Sequence, residues 1–378
     1  MLRLHSDPDG VFAQLATDLQ SGHLDPIQVP CSHAPGQLTR VSGMVQNVLD
    51  HEFIAAEDSQ DPSSFIKRLA VAVVPIPGLS SWAQQSNTSR NLQVLLYGAF
   101  QDQIRVCQVF EFYGYADEAV ENRFHCCTAI RTLRIPALVD FDSSHMKSLV
   151  LAYCLHNITF GDKNAAELLF LSLLASPISR GLGLVVGTLP LNLVYSSEQV
   201  AEKAVSGLVG MLELIFEKFR LLSIDRDALS KDSFVSKKDY ETMELSQGLL
   251  QVSDSTVLVL DESRMTPGSL DQTAVQNLKS LVSVIEDQEI ILNFDYHQVQ
   301  IPLNLPVVSM SSESKSILPF KFNVRVNPFD EGTSLDYTFS SKLLPMLRSY
   351  IHQASSLTFK VKIPEEISQV FSQSAFFV

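Results

Sequence analysis

The spacing of apolar and polar positions changes character along the chain. Between Thr39 and Asp117 apolar residues alternate with polar ones in five short runs: TRVSGMVQNV, HEFIAAE, FIKRLAVAVVPIPG, NLQVLLYGAF and IRVCQVFEFYGYAD. Alternation at period two marks strands with one buried face, and runs separated by Gly, Pro, Asp and Ser clusters predict a small, partly open barrel of the OB type. From about Ser143 the period lengthens to that of a helix. Met146, Leu149, Val150, Tyr153 and Asn157 share a face, Gly161 stops the run, and Asp162 caps a second helix, NAAELLFLSLLAS, which is apolar nearly all round and so expected in the interior. A capping box from Ser196 to Gln199 predicts a third helix, with Val200, Ala204, Leu208, Met211, Leu212, Ile215 and Phe219 at helical spacing. Predominantly apolar runs at Leu191–Val194, Val257–Leu260 and Leu305–Met310 predict buried strands, and an amphipathic helix and a hairpin-like pair lie between the last two. Short helices are expected at Val11–Leu19, Lys342–Ala354 and Glu365–Phe371.

Length and composition change this picture in three ways. A chain of 378 residues is long for one core, and 46% hydrophobic with 19% charged residues describes a globular protein. The expected division is 1–120 for an N-terminal helix and β-domain, 121–143 for a linker, 144–330 for an α/β domain and 331–378 for a short lid-like helical end. A formal charge of −14 opposes a phosphate-tracking surface, because nucleic-acid affinity comes mostly from Lys and Arg. Five cysteines in no regular spacing, and no basic-then-apolar N-terminal segment, predict a reduced intracellular protein, and no apolar run reaches bilayer length.

Candidate chemistry concentrates at the end of the Val257–Leu260 run, where Asp261 and Glu262 stand together before a turn at Thr266-Pro267-Gly268. Such a pair resembles the Walker B segment of nucleoside triphosphatases, in which one acid holds Mg²⁺ through water and the next polarises the attacking water. It is also a common way for a buried strand to reach solvent. A phosphate loop needs G-x-x-x-x-G-K-[ST], and after Leu191–Val194 neither a glycine loop nor a lysine precedes the next helix. His125-Cys126-Cys127 lacks the second ligand pair of a zinc site, and Gly181, Gly183 and Gly187 open no helix as a dinucleotide fingerprint would. Phe110, Phe112, Tyr113 and Tyr115 would suit base stacking, but their acidic neighbours Asp102, Glu111, Asp117, Glu118 and Glu121 favour core packing or a protein contact.

Several separated blocks resemble one family. GLLQVSDSTVLVLDE, GSLDQTAVQNLKSL and FDYHQVQIPLNLPVV, with VSGMVQNVLDHEFI, VPIPGLSSW around Trp82 and LYGAFQDQIRVCQVFEFYG, look like the minichromosome maintenance (MCM) complex-binding proteins. The order of strand, helix, hairpin and strand after Gly248 also resembles the Walker B to sensor region of the MCM helicase ATPase. The resemblance implies an α+β multidomain chain, with an N-terminal OB-like barrel followed by a degenerate AAA+-like α/β domain that has lost its phosphate loop. It implies a non-enzymatic, nuclear or also cytoplasmic protein whose partners are MCM helicase subunits, assisting their assembly, stability or unloading in DNA replication. Asp261 and Glu262 would then be a structural remnant. No catalytic, cofactor-binding or metal residue is expected, nor a direct nucleic-acid, membrane or small-molecule ligand. The arginine finger's place falls on Phe320 or Lys321, the sensor strand ends in Ser309-Met310-Ser311-Ser312 without an Asn, and the C-terminus is short beside the family pattern. The alternatives are an active AAA+ ATPase using Asp261 and Glu262, or an OB protein that binds single-stranded DNA.

Overall fold

A computed structural model of the chain describes residues 39–55, 65–76, 91–97, 101, 103–117, 120, 122–131, 141–181, 184–231, 233–240, 245–266, 268–294, 297–312, 316–327 and 337–357. In chain order the first strands are β1 (Thr39–Ala55), β2 (Phe65–Val74), β3 (Leu92–Tyr97), β4 (Val109–Ala116) and β5 (Arg123–Arg131). Helices α1 (Ser143–Asn157) and α2 (Lys163–Leu174), the short strands β6 (Ser179–Gly181) and β7 (Leu184–Val186), then β8 (Leu191–Tyr195), α3 (Glu198–Ile215) and β9 (Phe219–Ser223) follow. The remainder comprises α4 (Arg226–Lys231), β10 (Ser236–Lys238), β11 (Leu245–Ser246), β12 (Val257–Glu262), α5 (Gln272–Glu286), β13 (Glu289–Asn293), β14 (Gln298–Pro302), β15 (Val307–Ser312), β16 (Phe322–Arg325) and α6 (Leu344–Leu357). The chain divides into two compact units. One takes residues 1–134, 234–254 and 291–301, and the other takes 135–233, 255–290 and 302–378.

In the first unit, β1 to β5 close a barrel in the order β1-β2-β3-β5-β4. Every neighbouring pair is antiparallel except β3 with β5, which run parallel. Alternate residues point inward, and Val45, Val71, Val94, Leu96, Phe112 and Phe124 fill the interior. Five strands were expected, but their composition differs. The first two runs form the single strand β1, which bends at register irregularities around Val45/Asn47 and Val48/His51. The fifth barrel strand is RFHCCTAIR, whose pattern predicted connecting chain only. Trp82 and the helices expected at Val11–Leu19 and Glu365–Phe371 lie outside the described residues.

Residues 234–254 join the barrel unit through buried amides. Gln46 on β1 donates from Nε2 to the Leu245 carbonyl at 3.0 Å, and Gln251 Nε2 donates to the Gln46 carbonyl at 2.8 Å. Gln251 Oε1 in turn accepts from Ser236 Oγ at 3.0 Å. Backbone bonds extend the seam, from Asp254 N to the Cys107 carbonyl at 3.1 Å and from Cys107 N to the Val45 carbonyl at 2.7 Å. A four-stranded sheet, β11-β10-β13-β14, completes the picture.

The second unit is built on a five-stranded sheet in the order β16-β8-β15-β12-β9, with every pairing parallel. Parallel strands are buried on both faces, hence the continuous apolar runs at Leu191, Val257 and Val307, and α1, α2, α3 and α6 share one core with them. Each helix start has a chemical cause. Asp142 accepts from the Ser144 and His145 amides and Asp162 from Ala165 N. Ser197, one residue past the expected Ser196, accepts from Val200 N. Helix α3 stops at Ile215, so Phe219 opens β9 instead of continuing the helical stripe. Gly207 on α3 lies so close to α1 that a Cβ there would stand 2.5 Å from the Asn157 carbonyl oxygen.

Replacing Gln251 with leucine deprives the Gln46 carbonyl of its donor and Ser236 Oγ of its acceptor in a buried seam. Unsatisfied buried polar groups cost about 1–3 kcal/mol each. We therefore expect Gln251→Leu to lose on the order of 2–4 kcal/mol by urea unfolding. A loss within error of zero would show that the seam does not hold residues 234–254.

Candidate functional site

The carboxyl edge of a parallel sheet is where ligands of open α/β folds bind. In this sheet β15 lies between β8 and β12, so the ends of those three strands meet there. The register sets Asp261 against Met310, and Glu262 against Ser311. Asp261 is half-buried, and its Oδ1 accepts from Ser263 N at 3.0 Å.

Glu262 points inward. It is 2% exposed, and its Oε1 accepts from Ser309 Oγ on β15 and from Ser316 Oγ at 2.6 Å, while Oε2 accepts from Ile317 N at 3.1 Å. Burial raises its pKa, the three hydrogen bonds work against that rise, and the neighbouring Asp261 carboxylate adds to it. The acid therefore ties β12 to β15 and to the turn leading into β16. The same edge carries a second polar knot. Asn192 on β8 donates to Ser311 Oγ at 3.1 Å and to Asn323 Oδ1 on β16 at 2.9 Å, and Ser312 Oγ donates to the Ser263 carbonyl at 2.8 Å.

Where a phosphate loop would stand, β8 passes into α3 through Ser196 and Ser197 alone. The first turn of α3 carries Glu198, and Arg264, just past β12, reaches Glu202 at 2.6 Å and Glu198 at 4.0 Å. These groups are largely exposed, so the pairs contribute little to stability. Phe320 is buried and Lys321 exposed just before β16.

The barrel carries a different constellation. Successive strand residues face opposite ways, so Cys126 joins the interior while His125 lies on the outer side, which separates the two as metal ligands. The Cys127 side chain lies outside the described residues, and no cluster of three metal-binding side chains occurs among those described. His125 is stacked between Tyr97 and Tyr115, with ring centroids 6.0 and 5.1 Å away. Its Nε2 lies 3.1 Å from Asp117 Oδ2 and its Nδ1 2.9 Å from the Tyr97 hydroxyl. Arg68 donates to that hydroxyl at 3.3 Å and to Glu52 at 2.7 Å. A carboxylate only accepts, so Nε2 carries the proton and Nδ1 accepts from Tyr97. The belt runs Glu52, Arg68, Tyr97, His125, Asp117, crossing from β1 through β2, β3 and β5 to the residue after β4. Burial lowers the His125 pKa, hydrogen bonding to and attraction by Asp117 oppose this, and Arg68 and Arg123 lower it further. Phe110 and Phe112 fill the barrel interior, and the Tyr113 hydroxyl donates to Glu111 at 2.8 Å.

Gly181 and Gly187 belong to the β6–β7 hairpin, with Gly187 at φ 103° immediately after β7, and no strand-to-helix turn lies there. Sequence reasoning did not find Ser309, Ser316, Asn192 or the His125 belt. The hydroxyls interrupting the apolar run VVSMSS were the available signal.

A family model described as mini-chromosome maintenance replisome factor matches residues 140–374. A Schizosaccharomyces pombe protein is 24% identical over 390 residues, covering 88% of this chain and 74% of its own length. The mini-chromosome maintenance complex-binding proteins of Drosophila melanogaster and Danio rerio are 30% and 29% identical over 60% and 55% of this chain. This chain's match spans only 37% and 32% of those two proteins.

Two outcomes follow from the geometry. Glu262→Ala takes the acceptor from the buried Ser309 hydroxyl, the half-buried Ser316 hydroxyl and the Ile317 amide, so a loss of about 1–3 kcal/mol in urea unfolding is expected. A free, solvent-facing acid would give almost none. For His125 the folded pKa lies below the unfolded value of 6.5, so its contribution to stability is complete above that value and is lost as pH falls through the lower folded one. Melting curves from pH 7.5 downward are expected to fall more steeply for the native chain than for His125→Gln. Parallel curves would refute the neutral, buried imidazole.

Proposed function

Because the chain belongs to the mini-chromosome maintenance replisome factor family, we propose that it is a non-enzymatic, nuclear binding protein of MCM helicase subunits that assists their assembly, stability or unloading. The observation that carries the reading is the family match over residues 140–374, which contains the whole parallel sheet and its carboxyl edge. The relatives that match 60% and 55% of this chain are named for binding the complex.

Within this reading the second unit is a degenerate AAA+-like domain and the first an OB-like barrel. The sheet order, with β15 between β8 and β12, supports the former, since it gathers a loop strand, a sensor strand and a Walker B strand at one edge. The chemistry at that edge is that of a retired site. A two-residue connection offers no cradle for phosphates, a first-turn carboxylate at Glu198 repels them, and Glu262 has its oxygens engaged by protein donors. Asp261 and Glu262 serve as structure.

The barrel supports the absence of a nucleic-acid ligand in the same way. OB-folds bind strands across the face of β2 and β3, and here Arg68 and Tyr97 on those strands are engaged with Glu52 and His125. With a formal charge of −14, counterion release contributes little affinity. A protomer-like domain with one good face docks on a true subunit and caps the assembly, since heterologous ring interfaces need two different faces.

The test is co-purification of the full chain with individual MCM subunits. Capture of at least one subunit at micromolar affinity or better is expected, and failure with all of them would overturn the reading. In parallel, isothermal titration with Mg²⁺-ATP is expected to show no micromolar binding. Tight binding with turnover abolished by Glu262→Gln would instead establish the active ATPase. A labelled single strand is expected to show at most weak anisotropy change, vanishing between about 50 and 200 mM salt.

A further inference from the structure

Exposed apolar side chains are not spread evenly over this chain. Among the described residues, four of the eleven large hydrophobics that are exposed, Leu171 at 56%, Ile178 at 38%, Leu184 at 60% and Val186 at 47%, fall between residues 171 and 186. Single exposed hydrophobics need no explanation, but a concentration of them marks an interaction site. The hairpin β6–β7 carries Leu184 and Val186, and Ile178 adjoins them through its N–H to the Val186 carbonyl at 2.8 Å, whereas Leu171 belongs to α2. The hairpin register pairs Arg180 with Val185, Gly181 with Leu184 and Ser179 with Val186. Paired residues share a face, so Arg180 and Val185 lie on one side and Leu184 and Val186 on the other.

The Arg180 side is anchored. Its guanidinium donates to the Asp287 carbonyl at 3.0 Å, to the Gln288 carbonyl at 3.2 Å and to the Leu303 carbonyl. That fixes the hairpin from one side and turns its Leu184 and Val186 side outward. A Cβ added to Gly181, which pairs with Leu184, would meet nothing within 4 Å. Arg180 is also the one charged residue between Glu167 and Glu198. Along the chain, Leu184 and Val186 thus have no charged neighbour but Arg180, which lies on the opposite side of the hairpin.

We propose that the outward side of the β6–β7 hairpin, Leu184 and Val186 with strand edges that pair with no third strand among the described residues, is the anchor by which this chain grips an MCM helicase subunit. The inference rests on the binding reading given above. Charge selects the occupant. Apolar side chains hold no attraction for phosphate, and two copies of a −14 chain repel one another, whereas a neutral or basic protein surface approaches freely. A subunit offering an apolar groove or an extended edge strand would bury these side chains and extend the hairpin by main-chain hydrogen bonds.

The test uses the full chain. Leu184→Glu/Val186→Glu should weaken capture of the subunit by at least about tenfold, as expected for central anchors, with an unchanged melting temperature. Leu221→Glu, an exposed apolar position on β9, should leave capture unchanged. Hydrogen exchange on the unmodified chain gives an answer that does not depend on the variant folding, because residues 178–187 should gain protection when the subunit binds. Capture unaffected by the double variant, or no added protection at 178–187 while the complex forms, overturns the anchor and leaves the binding reading intact. Failure of the unmodified chain to capture any subunit overturns the binding reading itself. Self-association of the chain that the double variant abolishes overturns the choice of occupant in favour of a second copy.

Discussion

A carboxylate removed from water must be given donors by the protein, and the second unit is arranged around that demand at Glu262. Central strands of a parallel sheet ordinarily carry Val, Ile and Leu on both faces. Strand β15 instead places Ser309 beside the acid, and the chain after it brings Ser316 Oγ and Ile317 N as two further donors. Leu318 N then donates to Ser316 Oγ at 3.0 Å, so the turn that satisfies Glu262 is itself held and leads directly to β16. The edge strand β16 is fastened again by Asn192 and Asn323 across β8. Removing the acid would therefore strand a set of donors whose geometry exists only because it is there, which is why its loss costs more than a single hydrogen bond.

The barrel solves a comparable problem at its one parallel seam. Strands β3 and β5 meet in the same direction, and side chains reinforce that junction: Tyr97 reaches His125, and Arg123 donates to Gln93 Oε1 at 3.0 Å. Each group in the belt has one role that fits its neighbours. Arg68 only donates, Asp117 only accepts, and tyrosine and neutral histidine pass the polarity between them. The consistency of direction holds only while the imidazole is neutral. Burial and two nearby guanidinium groups keep it so, which gives the pH dependence its sign.

What could be read from the sequence was whatever neighbouring residues decide. The helix start at Asp162 follows from a short side chain facing an amide three residues on. The buried strands β8, β12 and β15 follow from their apolar runs. The errors were also local: with Ser196 and Ser197 adjacent, spacing alone did not choose the cap, and Phe219 kept helical phase after the helix had ended. Strand β5 was missed because Cys, His and Thr in RFHCCTAIR carry a weak alternation signal. The contacts that define the sites are of another kind. Gln251 meets Gln46 across 205 positions, and Glu262 meets Ser316 across 54. No window of sequence contains both partners, and amide and hydroxyl side chains look alike whether they face water or each other.

At the carboxyl edge of the sheet and on the β2–β3 face of the barrel, polar side chains are engaged by one another. At the sheet edge the donors converge on Glu262, and on the barrel's β2–β3 face Arg68 and Tyr97 are joined to Glu52 and His125. Polar groups satisfied internally have little to gain from a new partner, because any contact must first break one already made. Apolar side chains left in water are in the opposite position, since covering them releases free energy with nothing to break. Leu184 and Val186 are such side chains, on a hairpin whose backbone Arg180 has already fixed, so little conformational freedom remains to be lost on association. Buried polar networks thus hold each of the two units in shape, while exposed apolar side chains such as Leu184 and Val186 keep free energy that a partner could release.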